Sequence, residues 1–256
     1  DIYVSYNSFG QVGLIQTPTA ESKEEGTIAF SVNRNDVWKV GSLTVTPFNW
    51  LEASYFYYRP NELLWEVDNV PGHFLDKGFN VKFIYRPKNI NLPNFAFGLD
   101  DFAGTGYFNR EYVASTYNLN NFKFSLGMGW GKFAGNNSFK NPLYKISDKF
   151  IIRPDIVDDV GFGGTPSYNH WFRGEASIFG GFEYIFPRNK GLKLKLEYDP
   201  YDYLDFSANN RIDASTNLRK KDSSINFGIS IPVNKFFTID ASFIKGNTFN
   251  LNFIVR

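Results

Sequence analysis

Apolar and polar residues alternate along most of this chain, and the alternation predicts its elements. Phe122, Phe124, Leu126, Met128 and Trp130 take one parity, while Lys123, Ser125, Gly127, Gly129 and Gly131 take the other. Side chains of a strand point to opposite faces in turn, so a period of two is a strand signal. The same period runs through Phe79, Val81, Phe83 and Tyr85, through Leu192, Leu194, Leu196 and Tyr198, and through Phe249, Leu251, Phe253 and Val255. Strands are predicted over 26–34, 38–47, 51–59, 77–86, 93–101, 110–117, 121–133, 171–186, 191–199, 223–231, 235–245 and 247–255. No stretch of similar length has the 3.6-residue period of a helix, so the fold class is all-β. The glycine-rich second face of 122–131 poses a question, because a face in water normally carries bulky polar side chains.

The connections sort by parity. Alternate connections are short, with PFNWL, RPKNINL, NLNN, PRNKG and PVNK as their sequences. The other set contains the long segments 60–76, 102–109, 134–170 and 200–222. Short turns at one end and long loops at the other mark an up-and-down outer-membrane barrel, whereas a Greek-key sandwich need not sort its loops in this way. Strands of about 9–11 residues also suit the hydrocarbon core of a bilayer. The expectation is a transmembrane up-and-down antiparallel β-barrel over 26–256, with about 12 strands. A periplasmic or lumen-associated segment at 1–25 precedes it, and the short turns and both termini face the periplasm. Trp38, Trp50, Tyr58, Tyr85, Trp130, Trp171, Tyr184 and Tyr198 lie near predicted strand ends, where they would form interfacial girdles. In a soluble sandwich the same rings would fill the core.

Composition narrows the function classes. Aromatics reach 19% and the formal net charge is +1, which gives no electrostatic case for nucleic acid as a partner. Cys is absent, so thiol chemistry and disulfides are excluded. The chain starts at Asp1 with no apolar leader and reads as a mature or trimmed chain. No Gly-x-Ser-x-Gly elbow or HExxH occurs, and His73 and His170, the only two histidines, have no adjacent orienting partner, so no enzyme is expected.

Several motifs occur in a familiar order: GLIQTPTA at Gly13–Ala20, NWLEASYFYY at Asn49–Tyr58, LDKGFNVKF at Leu75–Phe83, FAFGLDDFAGTGYFNREYVAS at Phe95–Ser115 and FSLGMGWGKFAG at Phe124–Gly135. INFGISIPV and ASFIKGNTFNLNF follow near the end. Together they resemble the YjbH-like family of outer-membrane β-barrel proteins linked to exopolysaccharide and capsule production in Gram-negative bacteria. Many members of that family are longer, with a second β-rich region, and some are lipoproteins. The resemblance implies a bacterial outer-membrane location and a non-enzymatic role in exopolysaccharide or capsule export or surface assembly. Two other readings stay open: a scaffold barrel that binds envelope proteins, and a small-solute porin. The implied partners are outer-membrane lipid and lipopolysaccharide, with polysaccharide and other envelope proteins beside them; no cofactor and no metal is expected.

The strand phases place Lys82, Arg86, Lys123, Arg173, Glu175, Glu183, Lys193, Lys195 and Glu197 on the lumen side. Such charges could guide a sugar through a pore, or they could pair with one another, since unpaired buried charge is costly. Gln16, Thr17, Pro18 and Thr19 lie in an irregular stretch that reads either as a lumen plug or as a hydroxyl-rich turn beneath the barrel. Asp100–Gly106 reads as a structural turn, with an anion cradle at Gly104 and Gly106 as the alternative. The acidic groups Asp155, Asp158, Asp159 and Asp199, Asp202, Asp205 read as solvated loop carboxylates, with calcium as the other reading.

Overall fold

The alternation closes on itself. The computed structural model describes residues 4–61, 64–67, 70–154, 166, 168–189, 191–201, 203 and 216–256. Twelve strands form one closed antiparallel barrel. They are β1 (Thr27–Asn35), β2 (Trp38–Phe48), β3 (Leu51–Pro60), β6 (Asp76–Tyr85), β7 (Asn94–Asp100), β8 (Arg110–Leu119), β9 (Phe122–Trp130), β10 (Ala176–Ile185), β11 (Lys193–Tyr198), β12 (Ile225–Pro232), β13 (Phe237–Ile244) and β14 (Thr248–Val255). A hairpin of β4 (Leu64–Val67) and β5 (Val70–His73) stands apart in the loop between β3 and β6. Each barrel strand pairs with the next, and β1 meets β14 with Phe30 opposite Val255. Closure leaves no strand edge, so the backbone groups of the wall are satisfied without water.

Parity sets the polarity of the wall. On β1, Ile28, Phe30 and Val32 are exposed outside, while Ser31, Asn33 and Asn35 are buried inside. On β9, Phe122, Phe124 and Leu126 face outward and Lys123, Ser125, Gly127 and Gly129 inward. An apolar exterior around a polar interior reverses the arrangement of a soluble domain and is that of a membrane-spanning barrel. The short turns share one end, called here the near end, with the start of β1 and the finish of β14. The long loops share the far end.

Three expectations about the barrel wall need correction. First, β9 stops at Trp130, because Gly131 (φ 67°) bends the chain into a 3-10 turn at Gly131–Phe133. A Cβ at Gly131 would lie 2.3 Å from the Asn109 carbonyl oxygen, so the turn requires glycine. Second, β10 starts at Ala176, not at residue 171; Phe172 (φ 59°) and Gly174 (φ 80°) keep the preceding stretch out of the sheet. Third, not all the expected girdle rings face lipid. Trp38 and Tyr58 share parity with Val40 and Phe56 and are buried inside the far end. Trp130 points outward but is covered by Phe172, 5.1 Å between ring centroids, and Trp171 lies on the loop. Trp50 and Tyr85 are exposed at the near end, where Trp50 stacks on Phe48 and Phe83.

The loop between β9 and β10 is strapped to the outer wall. Arg153 holds Glu111 of β8 through both terminal guanidinium nitrogens, Nη1 and Nη2 (2.8 and 2.9 Å), and the Phe172 amide donates to the same carboxylate. Asp100–Gly106 is a structural turn: Asp101 (φ 51°) accepts the Phe108 amide at 3.0 Å. Its carboxylate also lies 2.0 Å from where a Gly104 Cβ would stand, which fills the space an anion would need. Asp199 is buried and accepts from the Tyr201 amide and the Tyr203 hydroxyl, each at 2.9 Å, so it is not a solvated carboxylate. Asp155, Asp158, Asp159, Asp202 and Asp205 lie outside the described residues; among the described residues no group of three or more His, Asp or Glu could hold a metal ion.

Candidate functional site: a filled lumen

Inside the barrel the chain meets itself. Residues 4–23 enter from the near end, run up to Phe9 and Gly10 below the far end, and return; every one of them is buried. The segment folds on its own polar groups. The Asn7 carboxamide accepts from the Phe9 and Gln11 amides, and the Leu14 amide donates to the Thr17 carbonyl.

The wall holds this insert from all sides. Glu197 of β11 accepts the backbone amides of Ile15, Gln16 and Thr17 at 2.9 Å each, the Thr17 hydroxyl at 2.8 Å and the Asn226 side-chain Nδ2 at 2.9 Å. Opposite, Glu52 of β3 accepts the Val12 amide at 3.1 Å, and Lys82 of β6 donates to the Val12 carbonyl at 2.9 Å while pairing with Glu52 at 3.0 Å. Lys195 donates to the Leu14 carbonyl at 3.0 Å and pairs with Asp240 at 2.9 Å. Asp100 pairs with Arg110 at 2.6 Å and accepts from Gln11. Lys123 pairs with Glu21 at 2.8 Å, and Lys193 donates to Ser5, whose hydroxyl donates to Glu183. A buried ion pair is tolerable only where its remaining donors and acceptors find partners, and the insert supplies many of them.

Two aromatic clusters complete the filling. At the far end Phe9 packs against Trp38, Tyr58 and Phe108, and Tyr203 stacks on Trp38 at 5.3 Å. Lower down, Tyr112, Phe133 and Phe179 gather around Ala20. The glycine face of β9 exists for this second cluster. A Cβ at Gly127 would fall 2.2 Å from the Phe179 ring, and one at Gly129 would fall 2.5 Å from Phe133. Each glycine is the floor under an inward ring.

The structure therefore places Lys82, Lys123, Glu183, Lys193, Lys195 and Glu197 in the lumen, and Gln16, Thr17, Pro18 and Thr19 in the insert. Arg86 lies just past β6, exposed at the near rim, and donates to Asn49 and Ser22. Arg173 and Glu175 are not lumen residues; both precede β10 on the loop, where Ser138 donates to Glu175. Glu52, Asp100, Arg110 and Asp240 were missed, although phasing β3, β7, β8 and β13 by the same parity points each of them inward.

One insert residue is a buried cation of unusual surroundings. Lys23 is buried, and its ammonium has no hydrogen-bond partner among the described residues. Burial, helped by Arg256, Lys193 and Lys123, pushes its pKa down from 10.5 to about 7. With the folded value below the unfolded one, the unfolded chain binds more protons between those limits, so stability rises with pH across that window. From pH 7 to 9 the protein should gain roughly 2 kcal/mol relative to Lys23→Met, read from urea unfolding in lipid vesicles. Parallel pH slopes in the two proteins would show that Lys23 does not titrate there.

The family model described as "Exopolysaccharide biosynthesis protein YbjH" matches residues 5–256. "Uncharacterized lipoprotein YjbH" of Escherichia coli (strain K12) is 33% identical over 255 residues, covering 98% of this chain and 35% of that protein. The chain thus spans about a third of that relative's length. Among solved structures, a KdgM porin matches with a TM-score of 0.44 at 10% identity, covering 90% of this chain and 98% of that one. A NanC porin matches with a TM-score of 0.44 at 9% identity, covering 90% of this chain and all of that one (100%).

Proposed function

Because the chain belongs to the YjbH exopolysaccharide biosynthesis family, we propose that it is a non-enzymatic outer-membrane barrel serving exopolysaccharide surface assembly as a closed support rather than an open pore. The filled lumen carries this reading. A pore for sugars or small solutes needs a continuous water path, and residues 4–23 occupy that path with buried, hydrogen-bonded groups. The lumen charges are committed to the insert and to each other, and the far-end rings stack among themselves, so neither set faces a passing substrate. What the barrel offers to others is its outer wall to membrane lipid, and its loops and turns to envelope proteins or polysaccharide.

Planar-bilayer recording tests this reading. The intact protein should insert without conductance steps, and a steady ohmic conductance would overturn the closed support in favour of a pore. Membrane residence has its own check: detergent-extracted protein should migrate differently on gels before and after heating, and a detergent-free aqueous monomer would contradict it. A gated variant of the function has one observation in its favour. Both described ends of the insert, Val4 beside Ala29 and Ile254 and Ser22 beside Asn49, lie toward the near end, so withdrawal would not thread residues 4–23 through the wall.

A further inference from the structure

The outward faces of the twelve barrel strands carry four basic residues, all at the far end: Arg34, Lys39 and Arg59 stand in one row across β1, β2 and β3, and Lys77 stands one outward rung lower on β6. Arg34 is directly opposite Lys39, and Lys39 directly opposite Arg59. Lys77 follows on β6, opposite Tyr57 and one step diagonal from Arg59. Like charges directly across a ladder destabilise it, so two such pairs in succession call for an anion between them. The protein supplies none: among the described residues no carboxylate forms an ion pair with any of the four, and Nε of Arg59 has no hydrogen-bond partner. The one outward carboxylate on the barrel strands, Glu111 on β8, is taken by Arg153.

Below Arg34, Lys39 and Arg59, and level with Lys77, the wall is greasy and notched. Gly41 faces outward between Val32 and Tyr57, and a Cβ there would meet nothing within 4 Å. Exposed Leu43, Tyr57 and Phe79 continue the apolar surface toward the near end. Cations above an apolar notch match an amphiphile with an anionic head and acyl chains.

We propose that this row is a binding site for a phosphorylated glycolipid of the outer leaflet, of the lipopolysaccharide class, with phosphates bridging Arg34, Lys39, Arg59 and Lys77 and an acyl chain lying over Gly41. The inference rests on the outer-membrane reading and gives it a sidedness, since the long-loop end must then face the outer leaflet. A free acidic polysaccharide would satisfy the charges but not the notch.

The test is native mass spectrometry of the intact protein in nonionic detergent, titrated with bis-phosphorylated lipid A, with dephosphorylated lipid A and with polygalacturonate, which has no acyl chains. Wild type should retain the first alone, and added salt should weaken the complex. Changing Arg34, Lys39, Arg59 and Lys77 together to Gln should weaken retention on the order of a hundredfold, given the sizeable contribution of each cation at an anionic headgroup surface. Arg188→Gln with Lys235→Gln, at near-end turns, should not. Equal retention by the fourfold variant, or equal binding of dephosphorylated lipid A, overturns the site; polygalacturonate bound through the same four residues assigns the row to a polysaccharide instead. Without lipid A the fourfold variant should unfold no sooner than wild type, because repulsion has been removed; earlier unfolding would mean that the cations serve the barrel itself. Insertion into phosphatidylcholine vesicles, which contain no lipid A, tests the membrane reading separately, so the two can fail independently.

Discussion

Glu197→Ala is expected to detach the turn at residues 15–17 from the wall and destabilise the plugged barrel by on the order of 4 kcal/mol. Glu197 is fully buried, and its two oxygens serve three successive backbone amides and a hydroxyl of the insert. Alanine removes all of these acceptors at once, and the amides have no other partner unless water enters. Part of the cost returns because a buried carboxylate is also removed, which is why the figure falls below the sum of the hydrogen bonds. Glu197→Gln keeps the shape but turns an amide donor toward donors, so an intermediate loss should follow. The readouts are the urea midpoint in vesicles and cleavage within residues 4–23 by a protease added from the near side. An alanine variant as stable and as resistant as wild type would mean that the insert is held by its other contacts, and that the triple-amide site is incidental.

Much of the wall was legible because a barrel repeats one rule. Parity places Lys82, Lys123, Lys193, Lys195 and Glu197 inside without any knowledge of their neighbours, and loops sorted by length identify the two ends. Where the rule was carried past a strand, it failed. The alternation in residues 171–175 looks like strand, but Phe172 and Gly174 adopt left-handed backbone, so Arg173 and Glu175 fall on the loop. Arg86 has the correct parity and lies just beyond Tyr85, where the wall ends. The insert was harder to see. It has no period, and its conformation depends on partners far along the chain, such as Glu197 for Thr17 and Asp100 for Gln11. Its irregular, hydroxyl-rich stretch at Gly13–Ala20 is visible in the sequence, but there the plug and turn readings both fit. The glycines of β9 were the better clue. A missing side chain on a lumen face implies something bulky opposite, and here that is Phe179 and Phe133.

Removing residues 4–23 should turn a silent barrel into a conducting one. The wall does not depend on the insert for its hydrogen-bond ladder, and three of its ion pairs, Lys82 with Glu52, Lys195 with Asp240 and Arg110 with Asp100, join wall to wall and survive the deletion. Lys123 loses Glu21, and Glu197 keeps only Asn226, but water entering the emptied lumen can solvate both. A barrel of twelve strands is wider than the eight-stranded kind that side chains alone can fill, so emptied space should form a continuous aqueous path. Trp38, Tyr58 and Phe108 still narrow the far end, which predicts passage of small ions and slower passage of sugars. In planar bilayers the deletion variant should therefore show steady ohmic conductance where the intact protein shows none. Heat-modifiable migration must be retained for the result to count, because a misfolded barrel also leaks. A folded deletion variant that stays silent would show that the wall's aromatic clusters seal the lumen by themselves and that the insert is a structural filler. A conducting one makes the insert the seal, and surface display of polysaccharide by cells carrying it then separates the two roles: display unchanged favours a support, and display lost or no longer regulated favours a gate.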